Sequence, residues 1–130
     1  MNTDQSLEFA QAIIARLAGN SFTIKGWSIG LSTAIFVFVT KDEKPQLALL
    51  AVIPTFVFWG LDAYYMALER SFRSVYNRIA NAAASDFDLA PAAPVGAAEV
   101  LPEMLRPAVA FVHIVPLIVV AIISLWSVCP

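Results

Sequence analysis

Lys25, Asp62 and His113 are ionisable residues set inside or at the edge of long apolar stretches, where an unpaired charge is costly. Charges in such places pair with one another, staple helices together, or mark an ion or proton path. Arg70, Arg73, Tyr76 and Arg78 form a second group within ERSFRSVYNRIAN, residues 69–81. Arg70, Arg73 and Asn77 share one side of a helix, with Arg78 farther round. Guanidiniums beside an aromatic ring suit phosphates and stacked bases; the same charges also suit the ordinary excess of basic residues on the cytoplasmic side of a membrane. No nucleophile and base, no paired acids on an apolar site and no glycine-rich phosphate loop occur, so no catalytic residue and no enzyme activity is expected. Asp86, Asp88, Glu99 and Glu103 lack the spacing of a calcium loop, and the single cysteine, Cys129, fits neither a disulfide nor a metal pattern. No metal or cofactor is expected.

The elements that must position these residues are helices in a bilayer. Of the 130 residues 59% are hydrophobic and 14% charged, against about 25% charged in soluble domains. With a net charge of -2 the chain offers no case for duplex nucleic acid. The start, MNTDQSLEF, lacks the basic and apolar regions of a secretory leader. Residues 46–81 organise the rest: 47–59 are almost wholly apolar, 69–81 charged and amphipathic, and no strong breaker follows Pro54. One helix of that length is about 54 Å, while the apolar core of a bilayer is about 30 Å. Its surplus projects into water, carrying an apolar stripe of Tyr65, Leu68, Phe72, Val75 or Tyr76, and Ile79. A bare stripe of that kind needs a partner, the N-terminal helix or the same element of another subunit.

That N-terminal helix is expected over residues 1–20: Leu7, Ala10, Ile13, Ile14 and Leu17 share a face, Thr3 or Asp4 caps the start, and Gly19-Asn20 supplies a stop. It lies on a surface, packs on a neighbour, or serves as a moving gate. Residues 22–40 form the first span, 46–81 the second with its extension, 82–107 a loose connector with a turn of helix at 99–105, and 108–128 a third span kinked at Pro116. The charged turn at residues 41–45 makes the first two spans an antiparallel hairpin. About the centre of that turn, Lys25 and Asp62 are equally distant, so the register predicts an ion pair between them, as a staple or as part of a gate. His113 is expected to hydrogen-bond between helices or to carry protons; with Ser124 and Ser127 it is the candidate pore lining.

Six basic residues (Arg16, Lys25, Arg70, Arg73, Arg78 and Arg106) fall on one side of the spans, against Lys41 and Lys44 on the other. The positive-inside rule puts the N-terminus, the projection and the connector in the cytoplasm and the C-terminus outside. The expected architecture is an all-α integral membrane protein of one domain, with an amphipathic N-terminal helix and three transmembrane helices, the second extended into the cytoplasm. A single three-helix unit does not enclose a wide aqueous path, whereas identical copies around an axis do, so a homo-oligomer in the lipid bilayer is expected.

The run RLAGNSFTIKGWSIGL, followed by FWGLDAYYMALERSFRSVYNRIA, resembles a family of small bacterial membrane proteins of anti-phage defence, the channel-forming effectors of Hailong-type systems. The resemblance covers residues 16–81 and extends to size and number of spans. It implies an oligomeric channel of the bacterial inner membrane, gated from the cytoplasm by an anionic, nucleotide-derived signal made by a partner enzyme. Arg70, Arg73, Tyr76 and Arg78 would receive that signal, and Lys25 and Asp62 would sit where the movement enters the bilayer. A non-conducting scaffold that docks a soluble partner, and a holin-like lesion former, are the competing classes.

Overall fold

A computed structural model describes residues 2–81, 89–91 and 93–128, with side chains up to Ser127; Asp86, Asp88 and Cys129 lie outside them. The described residues are helical, without strands: α1 (Thr3–Asp42), a 3₁₀ segment (Pro45–Ala51), α2 (Val52–Asn81), α3 (Ala97–Met104) and α4 (Pro107–Val128). Three stretches are long and apolar enough to cross a membrane, Thr3–Asp42, Pro45–Asn81 and Pro107–Ser127.

The N-terminal helix and first span, expected to be separated at Gly19-Asn20, are one helix of 40 residues. Gly19 keeps a right-handed backbone, since no glycine has positive φ among the described residues, and the Thr23 hydroxyl donates to its carbonyl. Glycine stops a helix by turning left-handed; here packing on α2 continues past it, with Ser6 and Ala10 buried at one end and Ser21 and Ser28 beyond. The cap is Asn2, not Thr3 or Asp4: its side chain accepts from Gln5 N–H at 2.9 Å and Gln5 Oε1 accepts from Asn2 N–H at 3.1 Å, satisfying two donors that a helix start leaves open.

α1 ends at Glu43, the one non-glycine residue of positive φ (53°) among the described residues, whose N–H bonds back to Val39 O. The left-handed position at a helix end favours glycine. Glu43→Gly is accordingly expected to stabilise the hairpin by about 0.5–1 kcal/mol, read from reversible unfolding in mixed micelles. The returning arm of the hairpin starts as seven residues of 3₁₀ helix where an α-helix from residue 46 was expected. Pro45 opens this segment, and Pro54 has no N–H to bond Leu50 O, so an α-helical ladder cannot run unbroken through both.

Small residues fill the seams. Ala10, Ala48, Ala51, Ala63 and Ala67 are buried together with Ser21, Ser28 and Ser32, while Phe22, Trp27, Phe38, Ile53, Phe111, Leu125 and Trp126 are exposed. Soluble proteins do the reverse; helices in lipid pack backbone to backbone through small residues and turn their large apolar side chains to the acyl chains. The amphipathic stripe past Asp62 is used within the chain: Val75 and Ile79 are buried, as are Ser6 and Ala10 of α1. At the 3₁₀ segment, Val39, Ala48, Ala51 and Val120 close the far end with Ile35, Phe36 and Ile123. Within the connector lies α3, two turns of helix carrying Pro102, and α4 follows at Pro107 with Pro116 inside it.

Candidate functional site: a buried charge network

Asp62 has no exposed surface, and all three long helices supply its surroundings. On α1 the residues 21, 25, 28 and 32 recur at three and four, which places them on one helical face. Ser21, Ser28 and Ser32 lie buried on that face and Lys25 lies beside them, 19% exposed. Asp62 projects from α2 into this face. Lys25 Nζ lies 2.6 Å from Asp62 Oδ1 and donates also to Ser21 Oγ at 2.8 Å. The Ser21 hydroxyl donates in turn to the same carboxylate oxygen. From α4, His113 Nε2 meets Asp62 Oδ2 at 3.1 Å, and its Nδ1 meets Ser28 Oγ at 3.1 Å.

The geometry assigns roles. An ionised carboxylate only accepts, so His113 Nε2 carries the proton shared with Oδ2. Nδ1 then either accepts from the Ser28 hydroxyl, in a neutral ring, or donates to it, in a charged one. The Asp62 charge is matched by Lys25 whichever holds, and each of its oxygens has a donor. Such full satisfaction is what makes a buried charge tolerable. His113 is itself wholly buried and stacked on Trp59, ring centres 6.2 Å apart and planes 16° from parallel. Trp59 continues to Phe56 at 5.8 Å and donates its Nε1–H to Met104 O at 2.9 Å, which occupies a carbonyl left open at the end of α3. The network therefore reaches from α1 through α2 to both α4 and the end of α3.

The other sequence-derived candidates lie apart from it. Ser127 is exposed and its hydroxyl donates to Ser124 O at 2.7 Å; the Ser124 hydroxyl is buried without a hydrogen-bond partner among the described residues. Both sit in the last turns of α4, more than two turns from His113. Arg70, Arg73 and Tyr76 divide between two clefts, with Arg73 lining both. Arg70 Nη2 bonds Glu103 Oε1 at 2.8 Å, Arg73 holds Glu69 through Nε at 2.9 Å and Nη2 at 2.7 Å, and Arg78 reaches Ala90 O at 3.1 Å. Tyr76 lines a separate cleft with Gln11, Ile14, Arg73 and Asn77, between α1 and α2. Sequence reasoning missed Ser21, Ser28, Trp59 and Glu103. The serine spacing of seven on the Lys25 face was the available signal for the first two; nothing local marked Glu103, which is 2% exposed and faces Arg70 and Arg106. No protein-family model, curated protein or solved structure matches the chain.

Proposed function

We propose that the chain is one subunit of a homo-oligomeric channel in the bacterial inner membrane, opened from the cytoplasmic side by an anionic, nucleotide-derived signal and serving anti-phage defence. The observation that carries this reading is Asp62: wholly buried on α2, and bound at once to α1 and α4. A charged joint of this kind holds one helix arrangement until something else supplies the energy to change it, and gated membrane proteins use such joints. In this reading the Asn81 end of α2 and the Thr3 end of α1 are cytoplasmic, the end of α4 lies outside, and the Lys25–Asp62–His113 network is the closed-state latch. Arg70, Arg73, Tyr76 and Arg78 lie on the cytoplasmic side of the latch, where a signal made by a partner enzyme arrives. The face of α1 turned away from the core supports assembly: Gly19, Gly26 and Gly30 all lie on it, with open space where a side chain would stand, the surface through which helices in lipid approach closely.

A signal opens the channel only to the extent that it binds the open arrangement better than the closed one; a tenfold preference supplies about 1.4 kcal/mol per site, and several subunits multiply it. The test is ion flux from liposomes holding the purified protein, with and without a panel of short nucleotide oligomers. Flux that appears with one oligomer and disappears in Arg73→Gln, with assembly unchanged, is the expected result. Folded, oligomeric protein that passes no ions with any of them sinks the reading in favour of a non-conducting scaffold, and flux without a ligand favours a holin-like lesion.

A further inference from the structure

A cleft of about 360 Å³ lies beside α2, lined by Met66, Glu69, Arg70 and Arg73 of that helix and by Arg106 between α3 and α4. Three guanidiniums from two separate parts of the chain thus share one small space. Two buried carboxylates hold them there. Glu69, 6% exposed, takes Nε and Nη2 of Arg73; Glu103, 2% exposed, pairs through Oε1 with Arg70 at 2.8 Å, while its Oε2, without a hydrogen-bond partner among the described residues, faces Arg106 Nε across 3.5 Å. The carboxylates are covered, whereas the arginine side chains are 53%, 66% and 53% exposed. Three positive charges against two negative leave one in excess, and each guanidinium has five N–H donors, more than these pairs consume. Fixed forks with spare donors around an excess positive charge match the oxygens of a phosphate.

The place is as informative as the charge. Arg106 immediately precedes Pro107, where the most apolar helix of the chain begins. If α4 crosses a membrane, the cleft opens at headgroup depth, level with the phosphates of the lipids. We infer that the Met66–Glu69–Arg70–Arg73–Arg106 cleft binds a phosphodiester anion. This rests on the membrane reading above and narrows its anion site, since Arg106 joins Arg70 and Arg73 while Tyr76 and Arg78 stay outside. Two sources present that chemistry here: the headgroup of an anionic phospholipid, which reaches the cleft without leaving its monolayer, and a nucleotide oligomer arriving from water.

The test is binding rather than flux. Full-length protein in dodecyl maltoside is titrated with phosphatidylglycerol, with phosphatidylcholine as the zwitterionic control, and with a thymidine tetranucleotide, reading retained adducts by native mass spectrometry. Phosphatidylglycerol or the tetranucleotide is expected to bind at least tenfold more weakly to Arg73→Gln and Arg106→Gln. Weakening confined to the lipid assigns the lipid source, and weakening confined to the tetranucleotide assigns the soluble one. Arg70 is left intact because it holds Glu103. Met66→Glu, which puts a carboxylate in the wall with every arginine in place, must weaken binding as well and covers the case in which an arginine variant does not fold. Equal binding by the wild type and by the folded variants, or no binding of either anion to the wild type, overturns the inference. Intact binding with no flux in the liposome assay would remove the channel reading and leave the anion site standing.

Discussion

Lys25→Met is expected to cost about 3–5 kcal/mol, because it strands a carboxylate with no exposed surface beside a methyl group. Asp62→Asn is expected to cost less, about 1–2 kcal/mol. The amide oxygen still accepts from Ser21 and Lys25, and Lys25, being partly exposed, finds other partners. The order is diagnostic, since a pair held mainly by side-chain packing would lose comparable amounts from either end. Joining the two substitutions should restore at least about 2 kcal/mol relative to Lys25→Met alone, because the stranded charge is gone. Unfolding of the four proteins in mixed micelles gives the cycle. Costs that merely add would show that Lys25 and Asp62 do not depend on one another, and the latch would lose its basis.

His113→Ala is the second large effect, about 3–4 kcal/mol. Truncation leaves Asp62 Oδ2 and Ser28 Oγ without partners inside the bundle, removes the face on which Trp59 stacks, and opens a cavity. His113→Phe separates these contributions: the ring is kept, so stacking and volume return, while both polar partners stay orphaned, and about 2 kcal/mol of loss should remain. Trp59 reports the outcome directly. In a Trp27→Phe/Trp126→Phe background, which removes two exposed tryptophans, its emission should shift to longer wavelength in His113→Ala and stay close to the parent in His113→Phe. An unshifted His113→Ala would mean that α4 does not depend on the network for its place.

The hairpin was legible because it is local. Lys25 and Asp62 are equidistant from one short turn, and a register that spans only that turn brings them within 2.6 Å even though the second arm starts as 3₁₀ helix. The three apolar stretches were legible for a similar reason, since length and hydropathy require no knowledge of neighbours. What α4 contributes was not. His113 is 51 residues from Asp62, beyond a connector whose length permits many placements, and no periodicity in either helix states that they meet. Nor was the continuity of α1. Gly19-Asn20 is a proper stop for an isolated helix, and only the seam with α2, running past it on both sides, keeps the helix going. The partners of the arginines were not legible because they are remote: Glu103 comes from α3 and lies between Arg70 and Arg106.

The 40 residues of α1 also have a mechanical consequence. A helix of that length is about 60 Å long, and the residues that grip Asp62, Ser21 and Lys25, sit on either side of its midpoint. About 27 Å of rod extends from Ser21 back to Thr3, and about 26 Å from Lys25 on to Asp42. Asp62 therefore grips α1 near its middle, with arms of nearly equal length to either side. Any tilt about it moves the two tips by like distances in opposite directions, so a push at one tip reaches the other with its size kept and its sense reversed.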